Sequence, residues 1–320
     1  MATTETQILD EVIVTSRRRM MMMGGSALAG IVLAATTSKS ANAQATLTDA
    51  DYLNFALNLE YLEAEYYTLA STGMTIDQVG LGIGAGTATT GGGTVTVKPG
   101  GFTSCKVPFS DPVNASYAME IASEEQKHVT FLRGALGASA VAQPNIDLFN
   151  SFNAAASAAG IGAAFDPFAS DVAFLLGSYI FEDVGVTAYH GAAGSLTDAG
   201  NLTAAAGILA VEAYHAGLIR TILWGMDQAN PGAGIAATAT KISNLRATLD
   251  GTGNDDIGLT TTQDALNGSS ATFTASTIVN ADSNSIAFSR TAQQVLNIVY
   301  ASPSGTKGGF FPNGLNGKVS

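Results

Sequence analysis

Apolar residues recur every three or four positions in four stretches of the chain, which is the spacing of an amphipathic helix with one face in a core. Aspartate-proline pairs at 111–112 and 166–167 suit helix starts, because aspartate caps free amide groups and proline fixes the backbone of the first turn. We therefore predict four long helices, over residues 48–71, 112–136, 167–192 and 201–228.

The segments between these helices differ in length and composition. A Gly- and Thr-rich insert, 73–110, separates the first helix from the second, and within it 91–97 is expected to form a short hairpin edge. The connection from the second helix to the third, 138–166, is long and is expected to hold a short helix at 147–159. The pattern favours an all-α four-helix bundle with a long crossover between its halves.

The chain after position 230 changes to Ser, Thr, Asn, Asp and Gly, with helical patches at 241–249 and 289–300. The aromatic run 308–312 is expected to clasp the bundle or a neighbouring subunit. We predict a bundle domain over 44–230 and an accessory C-terminal segment, 231–320, packed on it.

The N-terminal 43 residues have the order of a targeting segment. A polar leader ends in Ser16-Arg17-Arg18-Arg19, an apolar run follows at 20–35, and Ala41-Asn42-Ala43 comes next. This order is similar to a twin-arginine secretion signal with its cleavage site. We therefore predict a cleaved signal peptide over 1–43, a periplasmic or secreted location, and no membrane span after cleavage.

Composition narrows the chemistry. With 26 acidic and 14 basic residues the net charge is −12, so nucleic-acid binding is disfavoured. Charged residues make up only 12% of the chain. A carboxylate on the apolar stripe of a helix is therefore not expected to be an ordinary solvent-exposed residue. The single cysteine, Cys105, excludes an intramolecular disulfide and any site built from several cysteines, and leaves a free thiol or a contact between molecules.

One glutamate stands about halfway along the apolar stripe of each predicted helix, and two of the four are followed three residues later by histidine. Buried together without cations, the carboxylates would repel one another and take up protons. Two divalent cations remove that penalty, and a Glu-x-x-His pair places a carboxylate and an imidazole on one helical face. The predicted metal ligands are Glu60, Glu125, His128, Glu182, Glu212 and His215.

Four carboxylates and two imidazoles suit two ions of iron or manganese, and zinc would also fit. The alternative from the residues alone is a polar core that shares protons and binds no metal. Glu63, one turn after Glu60, could replace it as a ligand. We prefer Glu60 because tyrosine follows it by seven residues, as tyrosine follows Glu182.

Other polar residues near the stripes have weaker assignments. Four could support the ligands or simply pack in the core: Tyr67, Tyr189, Glu63 and His190. Four more are expected on solvated helix faces: Glu65, Glu120, Glu124 and Asp183.

The segments 58–67, 124–128, 181–183 and 211–215, with the tail from 286 to 314, resemble ferritin-like domain proteins related to desiccation-related proteins. The resemblance covers nearly all of 47–317 apart from the insert and parts of 250–280. It implies a ferritin-like bundle whose metal centre has three kinds of ligand. The bridging ligands would be Glu125 and Glu212, the terminal carboxylates Glu60 and Glu182, and the histidines His128 and His215.

Two functions follow as expectations. The first is a redox enzyme of stress protection or metal handling that reacts with O₂ or H₂O₂, as a ferroxidase, a peroxidase or a protein similar to manganese catalase. The second is a non-catalytic exported protein whose metal site only stabilises the bundle. Association of like subunits is compatible with both, whereas a closed storage shell is disfavoured by the added segments.

Overall fold

A computed structural model describes residues 47–251, 255–265 and 272–320. The predicted signal, 1–43, lies outside the described residues, so its role in export stays a prediction. Within the described residues the chain is mostly helical, which confirms the all-α class. The helices are α1 (Asp49–Thr72), α2 (Pro112–Leu136), α3 (Asn150–Ala158), α4 (Asp171–Ala193), α5 (Ala199–Ala229), α6 (Ile235–Asp250) and α7 (Ala292–Val299).

The bundle consists of two helix pairs, α1 with α2 and α4 with α5. Among the four bundle helices, the predicted bounds differ most at the start of α4, which begins four residues later than expected. Ser170 caps this helix by accepting a hydrogen bond from the Ala173 amide. Asp166, the expected cap, instead accepts from the Phe168 amide at 2.9 Å and pairs with Lys98 at 2.7 Å. Pro167 therefore belongs to a turn that precedes α4.

The insert and the long crossover are joined by backbone pairing. Strand β1 (Val95–Thr96) runs parallel to β2 (Ile146–Asp147), so the predicted hairpin at 91–97 is wrong. Gly93 explains the close approach, because a Cβ there would lie 2.3 Å from the Pro144 carbonyl carbon. The Gly93 amide donates to the Gln143 carbonyl at 2.7 Å. A partner more than forty residues away in sequence was outside the reach of a local turn pattern.

The C-terminal segment packs on α4 and α5 through α6 and α7, and it also contains an antiparallel hairpin of β3 (Thr261–Ala265) and β4 (Thr272–Ser276). The hairpin was not expected from the sequence. The Phe310 ring lies 5.0 Å from that of Phe181 on α4, so the aromatic run packs on its own bundle.

Three fully buried arginines, Arg220, Arg246 and Arg290, hold the C-terminal segment to the bundle. Asp183 on α4 accepts from Arg220 and from Arg246, each at 2.8 Å. Asp256 lies 2.7 Å from Arg246 and 3.0 Å from Arg290. Asp183 is therefore buried in an ion network, contrary to the solvated face expected for it.

By length and composition alone, α4 and α5 could each cross a membrane. Most of the apolar part of α4 is buried inside the molecule, whereas about a third of that of α5 is. Both helices direct carboxylates toward the other bundle helices. That no span remains after cleavage stays a prediction.

Candidate metal centre

The six predicted ligands lie at mid-height in the bundle, and all are buried. The first group surrounds His128 of α2. Its Nδ1 atom lies 3.2 Å from Glu60 Oε2 and 3.3 Å from Glu125 Oε2. Glu212 Oε1, from α5, is 3.5 Å away. Three different helices therefore supply ligand atoms to one point.

The second group surrounds His215 of α5. Its Nδ1 atom lies 3.1 Å from Glu125 Oε1 and 3.3 Å from Glu182 Oε2. Glu212 belongs to this group as well, and within each group one ligand atom per residue lies within 4.8 Å of the others. Glu125 directs one carboxylate oxygen to each group. The two groups thus share Glu125 and Glu212, as the family resemblance implies for bridging ligands.

Two tyrosines connect the halves of the bundle reciprocally. The Tyr67 hydroxyl on α1 donates to Glu182 on α4, and the Tyr189 hydroxyl on α4 donates to Glu60 on α1. Each bond uses Oε1, which leaves Oε2 of the same carboxylate toward a histidine. The recurrent spacing of seven residues thus corresponds to a two-fold arrangement of helices, and the tyrosines orient the carboxylates rather than merely pack.

The arrangement leaves buried lone pairs that hydrogen bonds do not use. His215 Nδ1 is near Glu125 Oε1 by distance, but the angle is not that of a hydrogen bond. Buried polar atoms are rarely left in this condition, and several on facing side chains fit cations between them. At the two ligand groups, the buried atoms without a hydrogen-bond partner are Glu125 Oε1, Glu182 Oε2, Glu212 Oε1, Glu212 Oε2 and His215 Nδ1.

The pKa values indicate how the cluster is protonated when no cation is bound. Burial raises the pKa of Glu60 to about 7 although the charge of His128 opposes the rise. Burial and the neighbouring glutamates raise the pKa of Glu212 well above its usual range. Burial lowers the pKa of His128, but the Glu60 and Glu125 carboxylates outweigh it and raise the value to about 10. Cation binding would displace these protons.

Glu124 was expected on a solvated face, yet it contacts the centre. Its Oε2 atom lies 2.7 Å from His215 Nε2, the ring nitrogen that faces away from the cluster. A carboxylate in this position fixes the orientation of a ligating imidazole and makes it more basic. Because Glu124 lies on α2 and His215 on α5, only the packed bundle brings them together.

Glu63 is buried on α1 beside the centre but belongs to neither ligand group. Burial and the nearby Glu125 raise its pKa well above the usual range. The matching position on α4 is Gly185, three residues after Glu182. A Cβ at Gly185 would lie 2.1 Å from Glu212 Oε2, so the absent side chain makes room for a shared ligand.

The remaining polar candidates lie away from the centre. His190 is half-buried, with Nδ1 lying 3.1 Å from the Phe288 carbonyl oxygen in the C-terminal segment. Glu120 is exposed, as expected. Glu65 is fully buried against the insert, which corrects its predicted solvated face, and buried Cys105 is not placed to join another molecule.

A bundle in which four helices supply Glu, Glu-x-x-His, Glu and Glu-x-x-His to one buried cluster is the architecture of dinuclear carboxylate metal proteins. The ferritin-like domain family matches residues 48–224, and the chain belongs to this family.

Two similar proteins extend the match beyond the bundle. Desiccation-related protein PCC13-62 of Craterostigma plantagineum is 30% identical over 85% of this chain and 84% of its own length. Ferritin-like catalase Nec2 of Nesocodon mauritianus is 28% identical over 85% of each chain. No solved structure matches the chain significantly.

Proposed function

We propose that this chain is an exported stress protein that holds two iron or manganese ions in the bundle and uses them to consume H₂O₂. The observation that carries the proposal is the convergence of buried carboxylate and imidazole atoms without hydrogen-bond partners. Four ionised carboxylates balance the charge of two divalent cations, which removes the penalty of burying either set alone. The relative named as a ferritin-like catalase supports the choice of peroxide.

Each ligand would have a defined task. Glu125 and Glu212 would bridge the two ions, and the other four ligands would bind one ion each. Tyr67 and Tyr189 hold the terminal carboxylates by their far oxygens. When bound, a pair of redox-active ions supplies the two-electron exchange that peroxide decomposition needs. The protein contributes fixed ligand geometry and the exclusion of bulk water.

A small space beside Glu60 bears on the size of the substrate. A cavity of about 20 Å³ lies against Glu60, Glu63 and Tyr189, which is room for about one water molecule. The surrounding ligands are buried and the neighbouring helices are packed. A molecule as small as H₂O₂ or O₂ fits in this space beside Glu60, which supports the choice of a small substrate.

The test combines metal analysis with turnover. Protein purified from its own host would be analysed for metal content, loaded anaerobically with Mn²⁺ or Fe²⁺, and mixed with H₂O₂ while O₂ release and metal oxidation are followed. We expect about two metal ions per chain and peroxide consumption. Loaded protein that neither consumes peroxide nor undergoes metal oxidation would contradict the proposal.

Variants separate catalysis from a purely structural metal site. The double variant Glu125→Gln/Glu212→Gln removes the charge of both bridging ligands. Glu120→Gln, at an exposed position of α2, serves as the control. Retained folding with lost turnover supports the enzyme. Unfolding of the double variant, combined with no turnover in the loaded parent, supports the non-catalytic alternative instead.

Export is tested separately. We expect the mature protein in the periplasm or medium to begin near Gln44, and Arg17→Lys/Arg18→Lys to retain the precursor in the cytoplasm. N-terminal sequencing and cell fractionation decide this. An uncleaved chain in the cytoplasm of the native host would refute it.

A further inference from the structure

A second cavity lies away from the metal centre, between α3 and α6. It measures about 260 Å³, and none of the six metal ligands lines it. An engineered protein cavity of about 150 Å³ is large enough for benzene, so this one has room for a small two-ring molecule. It is too small for a helix or a second subunit. The space is therefore of the size of a small organic ligand.

Small side chains on one wall and a firmly held aromatic residue in the floor keep the cavity open. One wall is formed by alanines of α3, including Ala155 and Ala158. Phe310 forms part of the floor, and its amide donates to the Val299 carbonyl at 2.9 Å while its carbonyl accepts from the Asp147 amide at 2.9 Å. Its ring contacts the Phe152 ring at a centroid distance of 5.2 Å. Fixed backbone and edge-on ring packing keep the floor in place.

The preceding Gly309 also serves this arrangement. Its φ of +49° is in the left-handed region, and a Cβ there would lie 2.5 Å from the Val299 carbonyl oxygen. Glycine therefore allows the backbone to turn here, so that Phe310 lines the floor of the cavity. The cavity is thus preformed by backbone geometry, which is a common property of ligand sites.

The lining indicates an uncharged ligand. Arg246 is the charged residue of the lining, and its guanidinium is already engaged. Nη2 donates to Asp183 at 2.8 Å, and Nε lies 2.7 Å from Asp256. An anion would receive no free positive charge there and would meet a chain of net charge −12. Aromatic rings on the floor favour a flat ring through edge-to-face contact.

We propose that the cavity between α3 and α6 binds a small uncharged aromatic molecule. This site is independent of the metal centre and of peroxide chemistry. Burial of the ligand's apolar surface in a preformed, ring-lined cavity supplies the affinity.

Titration calorimetry of the full mature chain with indole, an uncharged two-ring probe, tests the proposal. We expect saturable binding with one indole per chain and at least tenfold weaker binding of indole-3-carboxylate, which adds a negatively charged carboxylate to the same ring system. Indole that does not saturate the protein, or a carboxylate that binds equally well, would overturn the assignment.

Two filling variants locate the site. Ala155→Phe places a ring in the cavity, and Ala158→Leu adds a smaller group at a more exposed point of the same wall. Ser157→Leu, exposed on the same helix and not part of the lining, is the matched control. We expect at least tenfold weaker indole binding in each filling variant that retains the parent's helical content and melting cooperativity, and unchanged binding in the control. Equal affinity in all folded variants would place the probe elsewhere and refute the proposal. Because metal and peroxide are absent from the assay, its failure leaves the proposed function untouched.

Discussion

Glu65 is fully buried on α1, where it faces the insert rather than solvent. One carboxylate oxygen accepts a hydrogen bond from the Ile76 amide at 3.1 Å, while Oε1 has no hydrogen-bond partner. Burial raises the pKa of Glu65 from 4.5 to about 8, although the Ile76 amide and Gln143 partly oppose the rise. The carboxyl is therefore protonated in the folded protein at neutral pH and ionised in the unfolded chain.

The sign of the effect follows from proton release on unfolding. A folded-state pKa above the unfolded value gives a contribution that is complete below about pH 4.5 and is lost as pH rises through about 8. At about 1.4 kcal/mol per pKa unit, the free energy of unfolding should fall by about 3 to 5 kcal/mol across this range. Glu65→Gln has nearly the same shape and cannot ionise, so it should lack this loss.

The measurement is urea unfolding of the parent and Glu65→Gln at pH 5, 6, 7 and 8 with equal metal content. Other titrating groups largely cancel in the difference between the two proteins. We expect the variant to gain stability relative to the parent by about 1 kcal/mol per pH unit and to be the more stable protein at pH 8. Glu120→Gln, at an exposed position of α2, is the control for the substitution itself. A flat or falling difference for Glu65→Gln would show that Glu65 is ionised in the fold.

Three further predictions concern the centre and its supports. Glu124→Gln should weaken metal binding roughly tenfold, because His215 loses a charged partner; a competing chelator measures this, and an effect equal to that of Glu120→Gln would contradict it. Gly185→Ala should reduce the number of bound metal ions, because the added Cβ collides with a shared ligand; elemental analysis showing full occupancy would be the contrary result. Arg246→Met should lower the free energy of unfolding by about 3 to 5 kcal/mol, because it removes one of the two arginines that pair with each of the buried Asp183 and Asp256, and denaturant curves that overlay those of the parent would refute this.

The repeating parts of the fold could be predicted from the sequence, since helical periodicity and the Glu-x-x-His pairs are local patterns. The bounds of α2 were predicted in full, and those of α1 to within one residue at each end. The six clustered residues were identified because each occupies the apolar stripe of its own helix. Their convergence then follows from placing four stripes in one core.

The predictions that were wrong concerned residues whose partners lie far away in the sequence. The prediction for Glu65 assumed a helix with one solvated face, whereas α1 is enclosed by the bundle, the insert and the C-terminal segment, and most of its residues are buried. The solvated face predicted for Asp183 was wrong for the same reason, since its partner Arg246 lies more than sixty residues later. The pairing of β1 with β2 likewise joins separate loops. No local pattern encodes such partners, because each side alone is compatible with solvent.

The two-fold relation between the helix pairs holds at the ligands and breaks around them. Both halves supply the same ligand types, and the tyrosine bonds are reciprocal. The residue before the shared glutamate, however, is Glu124 on α2 and Val211 on α5, so that only His215 receives this carboxylate. A hydrogen-bonded carboxylate makes an imidazole the stronger donor to a cation. The two ligand groups therefore match in composition but differ in basicity, and an ion beside His215 would be held more firmly than one beside His128.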